Sequence, residues 1–191
     1  NCSVVIVRTS KTPSEDFKNN LLIIRKLKIE IIKEWKKTKF KDYSLIVDAI
    51  FGVGLNRPLN SKVLDLVKKL NKLPIPICSL DLPTGLNPDN GQIFSDSILA
   101  DTTITYDFAK PGLVTDPGTK YSKKIFIVKL PTPNDLTKEL NNHYINSSFF
   151  ENFFKKRSKS SNKGTFGHVL VIGGSKNMSG AVLLSGLAAY K

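Results

Sequence analysis

The chain has 191 residues, 40% of them apolar, and a formal net charge of +13 at neutral pH. That length holds one domain and part of another, with enough apolar residues for a core; no apolar run reaches the ~20 residues of a membrane-spanning helix, and no signal-peptide pattern opens the chain. Lysine carries most of the charge, with four arginines among 29 basic residues, whereas arginine is the usual reader of bases, so a solvated lysine-rich surface is expected over a nucleic-acid interface.

Cys2 and Cys78 are the only cysteines. They lack metal spacing and read as reduced thiols in a cytoplasmic setting. The chain starts at Asn1, its only methionine is Met178, and it stops at Lys191 inside a helical pattern. Both ends read as those of an internal piece of a longer protein.

In chain order, Val4-Val5-Ile6-Val7 is a β-branched run that predicts a strand. Thr12-Pro13-Ser14-Glu15-Asp16 reads as a helix start, with a hydroxyl cap and early acids, and the helix is expected to reach about Lys26. Residues 28–32 alternate like a strand, while Glu34-Trp35-Lys36-Lys37 fits a helix, and both readings stay open. Leu45-Ile46-Val47-Asp48 is a strand. Asn60-Ser61 caps a helix with apolar Val63, Leu64, Leu66, Val67 and Leu70. Pro74 ends it, and Ile75 to Leu80 is the next strand. Such alternation argues for a parallel sheet with helices packed on its faces. Two further strands follow, Thr102–Tyr106 and Lys124–Val128, with Lys110-Pro111-Gly112-Leu113 as a turn between them.

From Pro131 to Asn146 the chain is polar, Phe149 to Phe154 reads as a short helix, and the Ser-rich, basic stretch Lys155 to Lys163 reads as a linker. Gly167 to Ser175 reads as a new strand and glycine turn, and Ser179-Gly180-Ala181 opens a small-residue helix through Ala188-Ala189. A domain boundary is expected near residue 147.

Two of these strands end in an acid followed by a glycine-bearing turn. One is Asp48-Ala49-Ile50-Phe51-Gly52-Val53-Gly54-Leu55-Asn56-Arg57-Pro58; the other is Asp81-Leu82-Pro83-Thr84-Gly85-Leu86-Asn87. In an open parallel sheet, ligands sit at the carboxyl ends of the strands. Both carboxylates are therefore expected at one pocket mouth, an arrangement that points to an enzyme. The first turn is not a dinucleotide fingerprint, because Arg57 takes the third glycine position and the acid precedes the glycines. Taken alone, Asp48 also reads as a turn cap, with Gly52 and Gly54 supplying backbone freedom. In the second turn, Pro83 fixes the backbone, and the Asp81 carboxylate with the Thr84 hydroxyl suits a hard cation or a hydroxylated substrate. A purely structural turn is the plain alternative. Lys110 reads either as a partner for a ligand phosphate or as a solvated lysine. Asp101 and Asp107 read as surface acids or turn caps, and His143 and His168 support no catalytic or metal array. Lys163-Gly164-Thr165-Phe166-Gly167 and Gly173-Gly174-Ser175 suit close backbone approach to a phosphate, without the spacing of a P-loop.

The segments around Asp48, Asp81 and Lys110 together resemble the NAD(P)HX epimerase domain of the YjeF N-terminal family. Lys163 to His168, Val171 to Ser175 and Ser179 to Ala181 resemble the start of an ADP/ATP-dependent NAD(P)HX dehydratase domain, in the order of bifunctional bacterial proteins that fuse the two. The resemblance implies an α/β fold. Residues 1–146 would be a three-layer αβα Rossmann-like sandwich, truncated at its N-terminus, and residues 147–191 the first strand and helix of a ribokinase-like domain. It implies repair of hydrated NADH or NADPH: epimerisation of the R and S forms and, in the longer protein, dehydration of the S form with ADP or ATP. Asp48 and Thr84 would ligate potassium, with Thr84 where the family usually has serine. Gly52, Val53, Gly54, Leu55, Asn56, Arg57 and Pro58 would wrap the substrate through backbone amides. Asp81 would do acid–base work at the reacting end, and Ala181 would touch the dehydratase substrate. An Asn-Asn-Gly-Gly-Asp segment typical of the family is expected upstream of Val4, and the dehydratase's catalytic aspartate downstream of Lys191. The partners implied are a small-molecule substrate and, where the protein self-associates, a second copy, with neither nucleic acid nor membrane. The competing readings are a non-catalytic nucleotide- or RNA-binding module on a Rossmann-like fold, and a ribokinase-type kinase that leaves the first 146 residues unexplained.

Overall fold

The computed structural model describes residues 2–7, 12–133, 143–145, 147 and 167–190. Contacts divide the chain into two units, Asn1–Asn141 and Asn142–Lys191. In the first unit β1 (Ser3–Val5), α1 (Glu15–Lys26) and β2 (Glu30–Ile32) are followed by 3₁₀ turns at Trp35–Lys37 and Phe40–Asp42. Then come β3 (Ile46–Asp48), α2 (Ser61–Leu70), β4 (Ile77–Leu80), β5 (Thr102–Tyr106), α3 (Pro111–Val114), α4 (Thr119–Ser122) and β6 (Lys124–Val128). Among the described residues every strand pair is parallel: β1 with β2, and β3-β4-β5-β6 in that order in a second sheet. Parallel neighbours need a crossover between them, and α2 supplies it between β3 and β4. The result is the α/β architecture that the strand–helix alternation predicts, Rossmann-like as the family resemblance implies.

The periodicity of α2 explains its place. Asn60 caps it by accepting the Val63 N–H at 3.0 Å, and Val63, Leu66, Val67 and Leu70 fall on one buried stripe. They pack with Leu55, Leu59, Ile75, Ile77, Ile98 and Ala100 in the main core. Each Val, Leu or Ile among them contributes about 1.5–3 kcal/mol on burial. A second cluster, Leu82, Leu86 and Leu113, lies beyond the end of β4 and anchors the turn that carries Asp81. By contrast α1 buries none of its residues. Its Phe17, Leu21 and Ile24 line a cleft of about 900 Å³ shared with Val5, Val47 and Asp48.

Three expectations change. Residues 28–37, left open by periodicity, split into a strand and a 3₁₀ turn. Lys110 to Leu113 is not a bare turn: Pro111 takes the first position of the short helix α3, where its missing N–H costs nothing. In the second unit, α5 (Gly180–Tyr190) forms as expected, but residues 169–172 pair with no strand among the described residues. Val169, Leu170 and Ile172 stand exposed, because an apolar run becomes a strand only when a neighbour completes its ladder. Phe149 to Phe154, Lys155 to Lys163 and Lys163 to Phe166 lie outside the described residues.

Asp101, just before β5, ties three strands together. It accepts the Ile77 N–H at 3.0 Å and the Lys123 ammonium at 2.7 Å. The Lys123 side chain and the Ile77 N–H hold its carboxyl below the ordinary range. A depressed folded-state value means stability that is complete above the ordinary carboxylate pKa of about 4 and lost as pH falls from there through the lowered folded-state value. In urea titrations across an acid pH series, Asp101→Asn is expected to be less stable than the unsubstituted chain near neutrality, the gap closing as pH falls. A gap that stays constant would contradict this role.

Candidate functional site at the carboxyl ends of β3 and β4

Asp48 closes β3, and its Cα pairs with Ser79 of β4. Its side chain turns inward and is 2% exposed. Oδ2 accepts the Ser79 hydroxyl at 2.8 Å and the Thr84 N–H at 2.9 Å; Oδ1 accepts the Thr84 hydroxyl at 2.7 Å and the Ile50 N–H at 3.3 Å. Four donors fill the acceptor capacity of a carboxylate. Burial pushes the Asp48 carboxyl above its ordinary value, and the hydrogen bonds from Thr84, Ser79 and Ile50 work against that rise.

Asp81 follows the last residue of β4 and lies at the rim. Its backbone has φ +68°, and the Leu82 N–H reaches across it to the Leu80 carbonyl at 2.9 Å. This is the rare, strained form of γ-turn. It carries the chain off the sheet edge while the Asp81 N–H still bonds the Ile104 carbonyl at 2.7 Å. The side chain is 20% exposed and pairs with Lys110, 19% exposed, through Nζ–Oδ1 at 2.7 Å. The Thr105 hydroxyl donates to the same oxygen at 3.4 Å. Oδ2 accepts the Val53 N–H at 3.3 Å.

One loop therefore answers to both acids. The Ile50 N–H goes to Asp48, the Phe51 N–H to the Thr84 hydroxyl at 3.2 Å, and the Val53 N–H to Asp81. Gly52 sits between them, where a Cβ would lie 2.6 Å from Asp81 Oδ2; only glycine lets the loop come this close. Gly85 is equally constrained, at φ +104° with a Cβ position 2.0 Å from the Asp96 carbonyl oxygen.

Asp48, Thr84, Asp81, Gly52 and Val53 are thus brought together, with Asp48 and Thr84 buried and Asp81 facing out. The expectation that both carboxylates open onto one mouth needs correction: Asp48 is consumed by internal donors, and of the two only Asp81 reaches solvent at this rim. Gly54, Asn56, Arg57 and Pro58 are exposed beyond the loop, while Leu55 turns into the core. Ala181 lies on the helix of the second unit. Lys110 is neither a free phosphate ligand nor a solvated lysine; it is ion-paired. Sequence reasoning passed over Ser79 and Thr105. Both are hydroxyls on buried strand positions, and a buried hydroxyl needs a partner, the signal that could have found them.

The family model described as YjeF-related protein N-terminus matches residues 1–112. The chain belongs to this family. It is 33% identical over 157 residues to a protein of Dictyoglomus turgidum named bifunctional NAD(P)H-hydrate repair enzyme Nnr, covering 81% of this chain and 30% of that protein. It is 36% identical over 107 residues to a Weissella koreensis protein named NAD(P)H-hydrate epimerase, covering 53% of this chain and 48% of that one. The chain thus spans less than half the length of either relative. The crystal structure of yeast ynu0 shares the fold, with a TM-score of 0.57 and 20% identity over 76% of this chain and 63% of that one.

Removing the Asp48 carboxylate strands the Thr84 N–H and the Ser79 hydroxyl in the interior. Asp48→Ala is expected to lose about 3 kcal/mol or more, and Ser79→Ala about 1 kcal/mol, by denaturant unfolding. Equal losses would mean that Asp48 does not organise the cluster.

Proposed function

We propose that this chain is the epimerase part of a nicotinamide-cofactor repair enzyme, acting on NADH or NADPH that has taken up water across a ring double bond. The observation that carries the reading is Asp81: a carboxylate at an open rim, fixed by its backbone turn, an ammonium and a loop amide. The names of the relatives supply the substrate class, and Asp81 supplies the chemistry.

The hydrate carries its hydroxyl at C6, next to the ring nitrogen. The nitrogen lone pair expels that hydroxyl as the C6–O bond breaks, and water returns to the opposite face. In its protonated form Asp81 gives the leaving oxygen a proton and, as the carboxylate that remains, takes one back from the returning water, so the cycle closes without net change at the enzyme. Transfer of this kind requires only hydrogen-bond reach. The loop from Gly52 to Pro58 receives the phosphate-bearing part of the substrate through the backbone N–H groups of Gly54, Asn56 and Arg57 and, at Arg57, a guanidinium.

A potassium ion belongs to the same reading. Asp48 Oδ1 and Thr84 Oγ1, 2.7 Å apart, are hard oxygen donors of the type such an ion takes, and binding would replace the hydrogen bond between them. The ion would supply positive charge at the site. We assign residues 147–191, with Ala181, to the opening of a dehydratase domain that uses ADP or ATP in the longer protein. Cys2 and Cys78 are free thiols, in keeping with a cytoplasmic enzyme, and among the described residues no helix is long and apolar enough to cross a membrane.

In the complete protein given a mixture of R and S hydrates, Asp81→Asn is expected to lower R-form consumption by about 100-fold or more while S-form dehydration continues. Unchanged R-form turnover removes Asp81 from the reaction. Potassium, compared with lithium at equal ionic strength, is expected to raise the thermal midpoint of the unsubstituted chain by ligand linkage and not that of Thr84→Val; equal responses would exclude the ion site.

A further inference from the structure

Resting on the epimerase reading, we infer that Lys110 is a positioning residue that dictates which oxygen of Asp81 meets the substrate. An ammonium has three protons to donate, and all three of Lys110 are committed. They go to Asp81 Oδ1 at 2.7 Å, the Thr105 hydroxyl at 2.8 Å and the Tyr106 carbonyl at 3.0 Å. None is left for a substrate phosphate, so Lys110 acts through Asp81 rather than on the ligand.

The sequence builds this lock from two neighbouring elements. Thr105 is fully buried on β5, and the Tyr106 carbonyl lies at the end of the same strand. The chain then turns back through Phe108 and Ala109, and Pro111 starts α3, which fixes Lys110 at the helix entrance. The ammonium is held between β5 and the Asp81 turn. Thr105 completes a closed ring: its hydroxyl accepts from Lys110 and donates to the oxygen that Lys110 already holds. Oδ1 is doubly occupied, by the ammonium and a hydroxyl, whereas Oδ2 accepts a single bond, from the Val53 N–H at 3.3 Å. Oδ2 is the oxygen beside Gly52 and the substrate loop, and it carries the transferred proton.

The test compares Lys110→Met, Asp81→Asn and the double variant in the complete protein, by kcat and KM for R-hydrate consumption with thermal melting alongside. Lys110→Met is expected to lower kcat about 100-fold with KM within about twofold, the mark of lost positioning. The double variant should lose no more than Asp81→Asn alone. Losses that multiply would show Lys110 acting on the substrate by itself and would overturn the inference, as would an unchanged kcat in Lys110→Met. Should Lys110→Met melt early, Thr105→Val, which keeps the shape and opens the ring, is expected to lower kcat about tenfold at constant KM; no change in kcat would overturn the inference equally. An unsubstituted protein that does not interconvert the hydrates sinks the epimerase reading itself, whereas an active protein indifferent to Lys110 sinks the positioning role alone.

Discussion

Two carboxylates at the ends of adjacent parallel strands hold one loop by its amides, and the arrangement of the rim depends on that restraint. A carboxylate is an acceptor with no donor of its own, and a loop leaving a strand has N–H groups that the ladder no longer serves. Asp48 and Asp81, with the Thr84 hydroxyl as intermediary, meet that need at Ile50, Phe51 and Val53. The same residue type takes two parts because the surroundings differ. Asp48 is enclosed and saturated with donors, so it serves the scaffold. Asp81 is partly exposed at the rim with one oxygen lightly held, so it is available for chemistry.

The rim is built under strain, and its neighbours carry that strain. A non-glycine residue at φ +68° costs on the order of 1–3 kcal/mol and persists where the surroundings over-determine it. Asp81 is over-determined: the Ile104 carbonyl takes its N–H, Lys110 and Thr105 hold one oxygen and Val53 the other. Leu82, next in the chain, is sunk in the second apolar cluster with Leu86 and Leu113. The loop comes close only because Gly52 has no side chain to collide with Asp81. Core packing, turn strain and a fixed carboxylate are therefore one chain of cause.

Much of this was legible in the sequence, for definite reasons. The buried stripe of α2 and its Asn60 cap follow from helical spacing and from a side chain that can accept the Val63 N–H. The strands β3 to β6 announce themselves as short apolar or β-branched runs, two of them closed by an acid and a glycine-bearing turn. Asp48 and Asp81 stand out because a charge ending such a run needs a partner. The partners were harder to find. Ser79 meets Asp48 through the register of β3 on β4, and Lys110 meets Asp81 because β5 lies beside β4. Neither adjacency is local in sequence. The inward turn of Asp48 came from hydrogen-bond donors supplied by three separate segments, which no periodicity reveals. The expected strand at residues 169–172 failed for the opposite reason: its pattern was local, but a strand is a relation between two segments.

Amide hydrogen exchange at Ile50, Phe51 and Val53 tests the central restraint most directly. In the unsubstituted chain all three are predicted to be protected relative to Gly54, and Asp81→Ala should release Val53 while leaving Ile50 and Phe51 slow. Exchange of all three at the rate of an open loop in the unsubstituted chain would contradict the account.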